Sequence, residues 1–247
     1  LLDDLKPSQA VGWGVMKAAP SVGGTVTVVT KGAKAQHDAS TAADDTAPEL
    51  QARSADDMTW PAGAGVLMLD HDEGHDGERL SAAELRERLI EACPVLASAP
   101  MLWRPSSSAG IVTAEGRELS GLHKHRIYIP VTRAADIPTA AQRLVTLLWA
   151  ASKDKPGRFA WCTVGNAGQV LRRSVVDESV WQPNRLDFAA APQLADGLCR
   201  PNVAGRIFGD PLALFDLPAI TVSEAQSKAA AQAQASARKA VQSASQA

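Results

Sequence analysis

With 247 residues, 45% of them hydrophobic, the chain can bury a sizeable core as one large domain or as a domain with appendages. Its 25 basic and 27 acidic residues leave a net charge of −2, which argues against strong, sequence-blind capture of nucleic acid by this module alone and leaves such contacts to local basic clusters. Cys93, Cys162 and Cys199 are widely separated, which fits a reducing, cytoplasmic setting, and no structural zinc is expected from them. No apolar run approaches the ~20 residues of a membrane helix, so a soluble protein with no membrane contact is expected. The first residue is leucine, and the chain reads as a piece of something longer.

The β-branched run Gly24-Thr25-Val26-Thr27-Val28-Val29-Thr30 predicts a strand. Residues 31–48 have almost no large apolar side chain and read as an exposed loop. A turn at residues 61–65 then delivers an apolar strand over 66–69, with Asp70-His71-Asp72 at its exit. Ser81 and Glu84 form a capping-box pattern ahead of a helix whose stripe is Leu85, Leu89 and Ile90 and whose end is Pro94. A strand at 100–104 leads to Ser106-Ser107-Ser108, and a second strand runs over 125–131. Pro138 suits the first turn of a helix bearing Leu144, Leu147 and Leu148. Strands at 158–164 and 169–176, joined by Gly165-Asn-Ala-Gly168, form a hairpin.

This order predicts an α+β fold, a palm or RRM-like mixed sheet layered with helices, over residues 1–220. Residues 221–247 are rich in Ala, Gln and Ser, with Val241 their one large apolar residue after Ser223. They predict a linker or loosely docked helix, without an anchor to a core, leading toward a downstream domain.

Strand alternation sends Asp70 and Asp72 to one side and His71 to the other. Two adjacent carboxylates repel unless a cation lies between them, and hard oxygen ligands suit Mg²⁺ or Mn²⁺; the plainer reading is a solvated loop entrance. In the later strand His123, His125, Ile127 and Ile129 share one face, and Lys124, Arg126 and Tyr128 the other. Two histidines after a serine run point to phosphate or metal binding, although one alone reads as a core residue. Asp177 ends a β-branched strand on the face of Arg173, and Arg185 follows in a short loop. Arg53 precedes the first acidic pair and reads either as a contact to template phosphates or as a surface arginine. Trp60, Trp103, Trp149, Trp161 and Trp181 read as packing.

Asp70-His71-Asp72 after an apolar strand, serines leading to a strand headed by histidine, and Val176-Asp177-Glu178-Ser179-Val180-Trp181-Gln182-Pro183-Asn184-Arg185 together resemble the three motifs of the archaeo-eukaryotic primase superfamily. The likeness is to its primase-polymerase branch, found in plasmid, phage and mobile-element replication proteins, and it covers residues 53–188. It implies a DNA primase-polymerase in which Asp70, Asp72 and Asp177 hold two divalent ions, Mg²⁺ or Mn²⁺. It implies further that His125 contacts the incoming nucleotide's phosphates and that Arg185 helps to bind nucleotide or template, with Arg173 as a cationic neighbour. The family's second motif reads Ser-x-His, whereas His123 stands two before His125 here; nucleotide contacts by His123, Ser106, Ser107 and Ser108 stay open. Implied partners are single-stranded DNA template, nucleoside triphosphates and a downstream helicase domain or partner, in a bacterial case at the nucleoid.

Two other classes compete. The His123/His125 pair is similar to the metal-binding histidines of relaxases and rolling-circle initiators, which cut DNA with a tyrosine; Tyr128 is the single tyrosine here and faces away from the pair. A catalytically inactive nucleic-acid-binding replication module is the third reading.

Overall fold

The computed structural model describes residues 4–6, 9–17, 27–41, 50–201 and 203–244. In chain order the elements are β1 (Val11–Gly12), β2 (Val15–Met16), β3 (Thr27–Val29), α1 (Lys31–Thr41), β4 (Leu50–Ala52), β5 (Met58–Thr59), β6 (Gly65–His71), α2 (Ala82–Ala92), β7 (Met101–Pro105), β8 (Ile111–Thr113), β9 (Glu118–Ser120) and β10 (His125–Val131). There follow α3 (Ile137–Ala151), β11 (Ala160–Val164), β12 (Val170–Ser174), β13 (Leu186–Asp187), β14 (Leu198–Cys199), β15 (Arg206–Phe208) and α4 (Glu224–Ala244).

The chain is α+β, organised on a four-stranded sheet of order β15-β7-β10-β6. A mixed sheet is the expectation from sequence, but each neighbouring pair in this sheet is antiparallel. The reason is topological. β6 and β7 do run the same way, joined through α2, yet β10 inserts between them and separates the parallel pair. β10 registers on β6 from His125 opposite His71 to Val131 opposite Gly65.

Alternation decides what each face of this sheet meets. Leu67 and Leu69 of β6 and Ile127, Ile129 and Val131 of β10 are buried in one cluster with Leu85 and Leu89 of α2 and Leu144, Leu147 and Leu148 of α3. Burying each of these aliphatic side chains contributes roughly 1.5–3 kcal/mol. The capping box of α2 is formed: the Glu84 amide donates to Ser81 Oγ at 3.3 Å, and the Ser81 amide to Glu84 Oε2 at 2.8 Å. The hairpin is formed too, with Ala160 opposite Ser174 and Val164 opposite Val170. Gly168 takes φ +77° at its turn, a left-handed conformation that suits glycine.

Beyond the hairpin the chain is stitched to the outer edge of β6. The Asp177 amide donates to the Asp70 carbonyl at 2.8 Å, and Trp181 Nε1 donates to the Met68 carbonyl at 2.7 Å.

Two segments differ from expectation. Residues 31–41 form α1, not a loop; the Ala33 amide donates to Thr30 Oγ1 at 3.2 Å, and Lys34 pairs with Asp38 one turn on at 2.6 Å. Its exposure matches the polar composition, since no residue of α1 is buried. Residues 42–48 of the expected loop, 24–26 of the expected first strand and 245–247 of the tail lie outside the described residues. The tail helix α4 does have an anchor: Ala230 and Ala233 are buried with Trp149, Ala160 and Cys162. Large apolar side chains are not needed, because alanine lets the helix backbone approach α3 and β11 closely.

His71 and His125 face the helices and are 1% exposed, with rings stacked at 5.8 Å and 9°. The Nδ1–H of His71 donates to the Val175 carbonyl at 2.7 Å, and the Nε2–H of His125 to that of Leu80 at 2.5 Å. Burial pushes His71 down to about 4 from its ordinary 6.5 and lowers His125 as well. The native state therefore binds fewer protons than the unfolded chain between these values, so His71 costs stability as pH falls from about 6.5 to about 4. The loss is on the order of 3 kcal/mol. Urea unfolding across this range is expected to show a shallower acid decline for His71→Asn than for the native chain; equal slopes would contradict it.

Candidate active site

The face of the sheet turned away from the helices carries the charged groups. Cross-strand register places Asp70 of β6, Arg126 of β10 and Arg104 of β7 in one row, with Met68, Tyr128 and Leu102 in the next-but-one row on the same face. Asp72 stands just past the end of β6, exposed, with Lys124 Nζ 3.7 Å from its Oδ1. Asp177 reaches Asp70 through the backbone bond described above. Its carboxylate caps the short helical turn that follows, taking the Ser179 amide and Ser179 Oγ at 2.8 Å each.

A fourth carboxylate, Asp187, comes from β13, which is held by pairing with β1. Its side chain is fully buried, contacts Arg126 Nη1 closely and accepts the Tyr128 hydroxyl at 2.7 Å. Arg126 also lies 3.5 Å from Asp70 Oδ1 through Nε, and both atoms are buried without a hydrogen-bond partner.

Burial pushes the Asp70 carboxyl up to about 6; Arg126 opposes this, and the charges of Asp72, Asp177 and Asp187 add to it. Arg126 is divided between Asp70 and Asp187, and Lys124 is the cation beside Asp72. Alongside opens a cleft of about 810 Å³ walled by Asp72, Lys124, Arg172, Arg173, Asp177 and Glu178. Burial raises the Glu178 carboxyl as well.

The donors here are hard oxygens, the type that divalent cations such as Mg²⁺ prefer, and Asp70 Oδ1 is buried without a hydrogen-bond partner, with Arg126 Nε 3.5 Å away. Among the described residues no three His, Cys, Asp or Glu side chains are grouped so that they could hold a metal ion. Asp177 presents its carboxylate to Ser179, so it would share or exchange that contact on binding a metal.

Other residues singled out from sequence fall in different places. His125 is on the helix-facing side, packed between His71 and Trp103 at ring distances of 5.8 and 5.4 Å, and does not join the carboxylates. His123 is buried, with Nε2 3.8 Å from Glu73 Oε1. Ser106 is buried beside the entry to β10, its amide donating to the Lys124 carbonyl at 3.0 Å and its Oγ 3.2 Å from that of Ser108. Ser107 is half-buried and Ser108 exposed. Arg173 lines the cleft, and Arg185 is exposed in the loop beyond Asp177. Arg53 reaches that loop, with Nη1 donating to the Asn184 carbonyl at 3.0 Å.

The Tyr128 hydroxyl is buried against Asp187, across the sheet from His125, and burial followed by the Asp187 charge raises its pKa. A tyrosine nucleophile served by His123 and His125 would need the reverse arrangement. Sequence reasoning missed Arg126, Asp187, Lys124 and Arg172. Alternation had separated Arg126 from His125, but only the register of β10 on β6 shows that the arginine shares the face of Asp70.

No family model matches the chain, and no curated protein or solved structure shows significant similarity to it.

Asp70 has the opposite pH signature to His71. Its folded-state value of about 6 lies above the ordinary 3.8, so the native state holds more protons than the unfolded chain in this window and stability falls as pH rises through it. With chelator present, Asp70→Asn is expected to be more stable than the native chain at pH 7.5 by ~1–3 kcal/mol, with the gain vanishing below pH 4. Urea unfolding measures this, and a less stable variant at pH 7.5 would overturn it.

Proposed function

We propose that this chain is the catalytic module of a primase-polymerase, adding nucleotides to a primer or a first nucleotide on a single-stranded DNA template. One observation carries the reading: the bond from the Asp177 amide to the Asp70 carbonyl brings a carboxylate 107 residues downstream to the strand end that bears Asp70 and Asp72. The cleft beside them has cationic walls in Lys124, Arg172 and Arg173. The order β6-α2-β7-β10-α3, with β10 between β6 and β7, also follows the split β-α-β pattern of ferredoxin-like and palm folds.

On this reading Asp70, Asp72 and Asp177 would hold two Mg²⁺ or Mn²⁺ ions. When bound, such ions lower the pKa of the attacking 3′-hydroxyl and offset charge on the pentavalent phosphorus. The chain's own side chains draw in and orient the substrates. Lys124, Arg172 and Arg173 face the cleft and attract a triphosphate. Arg53 is tied to the loop that carries Arg185, and this pair suits the phosphates of a template strand. Arg126, locked by Asp187, sets the position of Asp70. His125 supports β10 from behind and is not assigned to the phosphates. A downstream helicase, as domain or partner, completes the proposal.

The test is incubation of the chain with single-stranded template, labelled nucleotides and Mg²⁺ or Mn²⁺, with and without primer. The native chain is expected to form product, and Asp70→Asn/Asp72→Asn to lose ~100-fold or more of that rate while retaining template binding. Equal extension by the double variant would remove the metal-site assignment. Template binding without any incorporation by the native chain would favour the inactive binding module.

A further inference from the structure

The strand that supplies Asp187 also presents an aromatic ring to solvent. Among the described residues Phe188 is the one Phe, Tyr or Trp left exposed, at 56%; the others are buried or half-buried. Strand parity explains it. β13 lies across the charged face of the sheet, with Asp187 directed onto Arg126 and the Tyr128 hydroxyl. Its neighbours Leu186 and Phe188 therefore turn the other way, and Leu186 is 36% exposed beside the ring. The β1 residue opposite Leu186 is Gly12, where a Cβ would lie 3.9 Å from Leu186 Cδ2, so β1 offers no side chain to cover this strip.

A single exposed apolar side chain is ordinary, and three further facts set Phe188 apart. Its backbone is fixed: Arg126 Nη1 donates to the Phe188 carbonyl at 3.1 Å. The same guanidinium lies 3.5 Å from Asp70 Oδ1 through Nε, so one side chain spans the ring's backbone and the carboxylate site. Basic residues lead into the strip. Arg185 is exposed immediately before Leu186, and Arg53, also exposed, donates Nη1 to the Asn184 carbonyl at 3.0 Å. An aromatic face beside exposed guanidinium groups is the pairing of features with which proteins hold unpaired bases and their phosphates.

We propose that Phe188 is a stacking platform for a base of a single-stranded nucleic acid, with Arg185 and Arg53 contacting the neighbouring phosphates. The ligand class rests on the function proposed above, and the inference adds the residue that contacts a base. A single strand is specified because a base held inside a duplex has no free face to lay on the ring. A net charge of −2 gives little bulk attraction, so stacking is expected to supply a large share of the affinity.

The test uses the whole chain in chelator and follows, by fluorescence anisotropy, an end-labelled single-stranded oligonucleotide and an abasic strand of equal length. Phe188→Ala is expected to weaken binding of the base-bearing strand roughly tenfold and to leave the abasic strand unchanged, while Phe188→Trp keeps the native affinity. Arg185→Gln is expected to weaken both strands alike and to flatten the salt dependence. Equal losses on both strands in Phe188→Ala, no loss on either, or no strand bound by the native chain would overturn the proposal. Self-association that Phe188→Ala abolishes, with strand binding unchanged, would assign the ring to a second copy of the chain instead. Primer extension by the same proteins separates the two readings: a base-dependent loss in a chain that incorporates no nucleotide supports the platform and removes the catalysis, and incorporation without that loss does the reverse.

Discussion

The buried contact between Arg126 and Asp187 is the constraint on which the charged face rests. Asp187 is fully enclosed, and its two oxygens are divided between Arg126 and the Tyr128 hydroxyl. Removing one partner of such a buried pair leaves an uncompensated charge and typically costs ~3–5 kcal/mol, more than most surface ion pairs contribute together. The contact also joins distant parts of the chain. It fastens β13, and through β13 the N-terminal strand β1, onto β10 of the central sheet. Because Arg126 is committed to Asp187, it compensates Asp70 only in part and leaves residual negative charge beside the cleft that Asp72 and Asp177 help to wall.

That residual charge acquires meaning from strand parity. Neighbouring residues on β6 serve opposite purposes: His71 is turned inward and kept neutral by burial, whereas Asp70 is turned outward and kept near the point of ionisation by burial and like charges. Their partners on β10 repeat the division, with His125 behind and Arg126 in front. The stacked imidazoles form the floor beneath the carboxylates. They fix the strand ends from the helix side through the Leu80 and Val175 carbonyls, and Val175 leads directly to Asp177. A rigid support of this kind holds side chains more accurately than a loop does.

Much of the framework was legible in the amino-acid order because periodic signals and local chemistry agreed. The Ser81 and Glu84 box, Pro138 in the first turn of α3 and the Gly165 to Gly168 turn each act over a few residues, and the structure places the elements accordingly. Long-range information was not legible. Asp187 lies 61 residues from Arg126, and nothing local marks it as a buried counter-ion. The placement of His125 depended on register, since alternation divides a strand into two faces without telling which face meets the helices. Polar composition at 31–41 concealed a helix that needs only a cap and an i,i+4 pair, and alanines in the tail concealed docking by close approach. Of the residues in the motif order that resembles a primase-polymerase, Asp70, Asp72 and Asp177 lie around one end of β6, and His125 lies on the opposite, helix-facing side of the sheet.

On the proposed reading Asp70 and Asp177 would act as one cation-binding unit although 107 residues separate them. Mn²⁺ titration followed by electron paramagnetic resonance, with Mg²⁺ as competitor, tests it most directly. The native chain is expected to remove the signal of free Mn²⁺, Mg²⁺ to restore it, and Asp70→Asn and Asp177→Asn each to weaken binding by about tenfold or more. Mn²⁺ binding that is unchanged in both variants, or absent from the native chain, would rule out a shared cation site at Asp70 and Asp177.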